Sequence, residues 1–205
     1  MPGRVFLTDP PEVIAATFGA SAAPIADEQP RHNIAPGQDV VALTDAGLTR
    51  MRWGMIPVGR VNARGRPVME TIVNARAETV FDKSAFAGVG RAVLPVNGWY
   101  EWTGEKRRKT AWRITPMEGG LLCFAAITDV WEAPNGQRLH QLATVTCAPS
   151  GDVRDVHHRM AVILEPEQVS AWLRAPEADL SRLMRPWPDG RLTVEPATDV
   201  NWEAP

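Results

Sequence analysis

The amino-acid sequence predicts an α+β fold, a mainly antiparallel β core with a few helices around it. Strand-like apolar runs recur at residues 40–44, 48–53, 91–96, 112–114, 121–128, 141–146 and 160–164. Asp45-Ala46-Gly47 and Asn97-Gly98 lie between such runs as hairpin signals. Helical signatures are fewer. At 205 residues the chain suits one substantial core, and a single domain over 1–205 is expected.

In chain order, Gly3-Arg4-Val5-Phe6-Leu7 reads as a strand that pins the amino terminus into a sheet. Asp9, followed by Pro10, Pro11 and Glu12, matches a helix start with Asp9 as N-cap, so residues 11–18 should be helical as far as Gly19. Residues 20–30 read as a surface loop, and Arg31-His32-Asn33-Ile34-Ala35-Pro36-Gly37 as an irregular segment ending in a turn. Residues 59–66 read as a basic loop, and a helix is expected from 78 to about 86, ending near Gly88. Residues 104–109 read as a solvated hairpin tip, 166–173 and 177–184 as helices, and 192–195 as a last strand.

Composition excludes several classes. With 44% hydrophobic and 22% charged residues, no stretch approaches the roughly 18 apolar residues that a membrane helix needs. Asp9-Pro10-Pro11 interrupts the start before an apolar run of signal-peptide length can form, so a cytoplasmic protein is expected, nucleoid-associated if bacterial. The 22 basic against 24 acidic residues give a net charge of −2 and no global attraction to nucleic acid, which leaves that task to local arginine clusters. Cys123 and Cys147 lie in apolar runs and read as buried free thiols. His32, His140, His157 and His158 show no zinc spacing with them, so no metal and no cofactor are assigned.

The stretch Asn97-Gly98-Trp99-Tyr100-Glu101-Trp102 carries the most chemical information. On a strand alternate residues share a face, so Trp99 and Glu101 point one way and Tyr100 and Trp102 the other. An acid desolvated by an indole has a raised pKa and can hold or pass a proton near neutrality. The plainer reading is a strand-edge Glu, solvated or paired with an arginine.

Three further segments mix polar groups in ways that packing does not require: Pro2-Gly3-Arg4, Asn74-Ala75-Arg76-Ala77-Glu78 and Asp155-Val156-His157-His158-Arg159-Met160. With the Glu101 strand they supply a carboxyl, an imidazole, an amide and three guanidinium groups, the inventory of an acid/base site for an anionic substrate. Together with Arg31 to Gly37, Trp53-Gly54 and Phe124-Ala125-Ala126-Ile127, these blocks resemble the SOS response-associated peptidase (SRAP) family, whose members shield abasic sites in single-stranded DNA.

The resemblance covers nearly the whole chain and implies a barrel-like core. It implies a catalytic set of Asn74, Glu101 and His157 around the amino terminus. Glu101 would shuttle a proton during attack on the ring-opened sugar aldehyde, His157 would assist transfer to the sugar oxygen, and Asn74 would hold the adduct. Arg4, Arg76 and Arg159 match positions that contact phosphates, Trp53 fits a stacking or wedging role, and Thr146 matches a further polar site residue. The implied partner is single-stranded DNA with an abasic site, and a monomer is the expectation.

The sequence departs from the family at position 2, where Pro2 stands in place of a cysteine whose amine and thiol close a ring on the aldehyde, and at Ala161, where a proline is usual. Two readings of Pro2 compete: a silenced site that only binds DNA, or different chemistry. Removal of Met1 would leave a secondary amine with a pKa of about 8, able to form a reversible iminium with an aldehyde and to act as an abasic-site lyase. With Met1 retained, the nitrogen is an amide and no bond forms. Self-processing as a peptidase is the least favoured reading, because it calls for the missing thiol.

Overall fold

A computed structural model describes residues 2–56, 64, 71–82, 86, 88–105, 108–133 and 135–203. Strand β1 (Val5–Leu7) is followed by helix α1 (Pro11–Phe18), β2 (Arg31–Ile34), β3 (Asp39–Thr44), β4 (Gly47–Trp53), β5 (Asn74–Arg76), β6 (Gly90–Val96) and β7 (Gly98–Thr103). Then come β8 (Thr110–Pro116), β9 (Leu122–Glu132), β10 (Arg138–Cys147), β11 (Met160–Ala161), β12 (Ile163–Leu164), α2 (Pro166–Arg174) and β13 (Leu192–Pro196). The α+β expectation holds.

Two sheets share the strands. One has five strands in the order β13-β8-β7-β1-β2, all antiparallel. In the other, the path β10-β4-β3-β6-β9 returns to its start because β9 also pairs with β10, which makes the core barrel-like. Strand β10 is the junction: along one edge it runs parallel to β4 and then to β5, and along the other it pairs antiparallel with β9 and then β11. Leu142, Ala143 and Val145 of this strand are fully buried among side chains of both sheets, as are Trp99 and Ile114 of β7 and β8. A strand flanked on both sides is buried on both faces, so its polar residues Gln141, Thr144 and Thr146 are buried too and take hydrogen-bond partners in Ile56, Trp53 and Ala75.

Several local expectations are corrected. Helix α1 begins as expected with Pro11 at its first position and ends on Gly19 at φ 59°, whose N–H meets the carbonyls of Ala15 and Ala16. Its N-cap is Pro10 instead of Asp9: the amides of Thr8 and Asp9 both donate to Asn97 Oδ1, at 2.7 and 3.1 Å, and tie this turn to the start of β7. Residues 31–34 form a strand, because β1 supplies a distant partner in the Val5 to Ile34 register. Residues 77–82 make successive turns in place of the start of a helix, with Thr79 N–H on Arg76 O and Asp82 N–H on Thr79 O. Residues 83–85 and 87 of that expected helix lie outside the described residues, as does the basic loop 59–66 apart from Arg64. The loop expected at 20–30 contains a short 3-10 turn, Ala23–Ile25, that buries Ile25, and the second C-terminal helix is a 3-10 segment, Glu177–Arg182. Among the described residues no helix is long and apolar enough to cross a membrane. Cys123 and Cys147 are buried free thiols, both pushed up to about 12 by burial.

Candidate functional site around the amino terminus

The site is assembled by strand pairing. Strand β1 lies antiparallel to β7 with Val5 opposite Trp99, and the Tyr100 N–H donates to Arg4 O at 2.9 Å, so the residues before β1 run alongside Glu101. From the neighbouring sheet, Asn74 of β5 donates through Nδ2 to Pro2 O at 2.9 Å. Pro2 is buried. Asn74 Oδ1 is itself buried, with no hydrogen-bond partner among the described residues.

Glu101 is 4% exposed, on the core side of β7 with Trp99. Burial raises its pKa, while the positive amino terminus and the Trp99 indole act in the opposite direction. Tyr100 points to the other face and packs in a second cluster with Phe6 and Ala197, as strand alternation requires.

His157 enters from the loop before β11. That loop is fixed at its base: Asp152 accepts the amides of Gly190, Arg191 and Leu192 at 2.9, 3.1 and 3.1 Å, and His157 N–H donates to Val153 O. Burial lowers the His157 pKa, the amino terminus adds to the effect, and the ring stacks on His158 at 4.4 Å. Burial thus pushes Glu101 toward the neutral acid and His157 toward the neutral imidazole, while the charge of the amino terminus opposes the first shift and adds to the second.

The arginines divide. Arg76 is exposed on β5, which makes it available to an anion. Arg159 is only 12% exposed and forms a two-pronged ion pair with Glu78, Nη1 to Oε1 at 2.6 Å and Nη2 to Oε2 at 2.8 Å. That pairing holds the Glu78 carboxyl down to about 2. Arg159 Nη2 also donates to Thr146 O, and Thr146, fully buried, donates through Oγ1 to Ala75 O at 3.1 Å. Thr146 thus braces β5 against β10 behind the site. Arg4 lies on the Tyr100 side of its sheet, with Nη1 donating to Asn33 Oδ1 at 2.7 Å.

Trp53 does not join the site. It is fully buried, and its indole donates to Thr144 Oγ1 at 3.2 Å, so its ring is core and offers no face to a base. The sequence gives no sign of the roles of Asn33 and Glu78 in holding Arg4 and Arg159: both sit inside the quoted blocks, but their partners, 29 and 81 residues away, leave no local signal.

The β core thus brings an amide to Pro2 and sets a buried carboxyl and a half-buried imidazole under the charge of the amino terminus. Residues 1–201 match the family model described as SOS response associated peptidase (SRAP), and the chain belongs to that family. The abasic site processing protein YoqW of Bacillus subtilis is 30% identical over 175 residues, covering 80% of this chain and 77% of that one. YoaM of the same organism, also an abasic site processing protein, is 32% identical over 158 residues, 73% of this chain and 68% of its own. Abasic site processing protein HMCES of Mus musculus is 29% identical over 189 residues, and the match spans 77% of this chain and 54% of that protein. A solved structure from Bacteroides thetaiotaomicron superposes with a TM-score of 0.83 at 20% identity, covering 96% of this chain and 92% of that one, a likeness of fold.

Proposed function

We propose that this protein recognises abasic sites in DNA, in single strands, and that the lesion docks against the amino terminus between Asn74, Glu101 and His157. The observation that carries the reading is the hydrogen bond from Asn74 to Pro2 O, which ties the N-terminal residues to β5 near a buried carboxyl. An abasic sugar in its open form presents an aldehyde and a hydroxyl. Asn74 Oδ1 would accept from the hydroxyl, Glu101 in its protonated form would supply a proton to an oxygen that gains negative charge, and the neutral imidazole would donate a hydrogen bond to it. Arg76 and Arg4 supply positive charge for the flanking phosphates.

On a molecule from which Met1 has been removed, the Pro2 secondary amine adds to the aldehyde carbon. The carbinolamine then loses its hydroxyl as water, with the proton coming from Glu101, and leaves an iminium cation. Water returns the aldehyde, or loss of a proton from the adjacent carbon expels the 3′ phosphate. Without a thiol the iminium has no second nucleophile to close a ring, so the adduct is transient. On a molecule that keeps Met1 the same pocket binds the lesion and makes no bond.

The test is binding of three fluorescent oligonucleotides, single-stranded with one abasic site, single-stranded intact, and duplex, across a salt series. The expected order is tightest for the abasic single strand, with affinity falling as salt rises. Equal affinity for all three, or none for any, would sink the reading.

A further inference from the structure

The C-terminal tail, residues 197–203, crosses the outer face of β7, the face opposite Glu101. Ala197 N–H donates to Ala111 O at 2.9 Å, and Asp199 accepts from Arg113 Nη2 at 2.6 Å. The tail is then held by Trp202. Its ring meets Tyr100 edge-on at 4.9 Å and Trp102 at 5.3 Å, within a cluster that includes Phe6. Aromatic pairs of this geometry add about 0.5–1.5 kcal/mol each to their area burial, enough to localise a short tail.

The carbonyl of Trp202 reaches Asn33. It accepts Asn33 Nδ2 at 2.9 Å, and Asn33, 4% exposed, turns its Oδ1 to Arg4 Nη1 at 2.7 Å. An amide side chain has two distinguishable ends. Once Trp202 O takes the NH2 end, the oxygen must face Arg4, and an amide flip would set NH2 against guanidinium. The family match ends at residue 201, so Trp202 is outside it.

We infer that residues 197–203 act as a strap whose Trp202 positions Arg4, through Asn33, for a DNA phosphate. Trp202 touches no phosphate in this scheme; it is a positioning residue. The inference rests on the reading of Arg4 as a phosphate contact. Released from Asn33, the Arg4 guanidinium would no longer be aimed at the phosphate, and that ionic contact with its counterion release would be lost.

The experiment measures affinity for abasic single-stranded DNA against salt in wild type, Arg4→Ala, Asn33→Ala, Trp202→Ala, Trp202→Phe and the double variant Arg4→Ala/Trp202→Ala, with thermal melts as a folding control. One lost phosphate contact on a single strand lowers the steepness of log K against log salt by about 0.7. Expected is that decrement in Arg4→Ala, the same direction in Asn33→Ala and Trp202→Ala, a wild-type slope in Trp202→Phe, and a double variant no weaker than Arg4→Ala alone. Trp202→Ala with the wild-type slope, or an effect that adds to Arg4→Ala, overturns the strap while leaving Arg4 as a phosphate contact. An unchanged slope in Arg4→Ala overturns that contact and the strap with it, while preference for the abasic strand still tests the function proposed above.

Discussion

His157 Nδ1 lies 2.9 Å from the backbone nitrogen of Arg159 and 3.0 Å from its carbonyl oxygen. An amide N–H can only donate, so Nδ1 accepts it while the ring is neutral, and the ring proton sits on Nε2. Protonation of Nδ1 would turn it toward the carbonyl and leave the amide without its acceptor. The lowered pKa of His157 favours the first state near neutrality. Nitrogen-15 NMR should show the Nε2–H tautomer at pH 7 and a titration below the ordinary value of 6.5. The stability sign follows: the unfolded chain takes the proton first as pH falls, so stability declines from about 6.5 down through the lowered folded pKa and stays reduced below it.

The Arg159 backbone is steadied by its own side chain, and that by Glu78. Glu78→Gln keeps the shape and removes the charge, so Arg159 should loosen and His157 should show mixed tautomers in the same NMR experiment. An unchanged spectrum would assign the orientation of His157 to the loop alone.

Glu101→Gln should retain binding of abasic DNA and lose any adduct, since the amide fills the same space but passes no proton. It should also alter stability against pH. With its folded pKa raised, Glu101 is neutral in the fold where it is already ionised in the unfolded chain. Wild-type stability therefore falls as pH rises from about 4.5 through that raised value, and Glu101→Gln should lack the fall. Parallel denaturation curves for the two proteins would contradict a desolvated carboxyl.

Trp53 separates core from contact. Trp53→Ala should cost about 3–5 kcal/mol of stability by opening a cavity. Trp53→Phe, which keeps most of the volume but loses the bond to Thr144, should remain folded and bind abasic DNA as wild type does. A large loss of affinity in a folded Trp53→Phe would restore a DNA role.

What was legible in the sequence follows from how local its cause is. The alternation at Trp99 to Trp102 needed only the strand period, and the structure separates Glu101 from Tyr100 as that period demands. Helix α1 carried its own proline and glycine signals. Strand β2 did not, because Arg31 to Ile34 is extended by a partner more than 20 residues earlier. The helix expected from residue 78 gives way at its start because Ala77 N–H and the Glu78 carboxylate both have partners across the site, Thr146 O and Arg159. The block around Trp53 marked the family correctly while misplacing the side chain, since a tryptophan beside a glycine looks alike on a rim or in a core.

The central claim concerns a lesion seated at the amino terminus, and reductive trapping tests it most directly. Protein shown by intact mass to lack Met1 is incubated with abasic single-stranded DNA and borohydride, then digested and mapped. A reduced adduct is expected on the peptide that begins with Pro2, weakened in Asn74→Ala and lost in Glu101→Gln. An adduct mapping to a lysine elsewhere, or no adduct on Pro2 from protein that binds the same DNA, would contradict it.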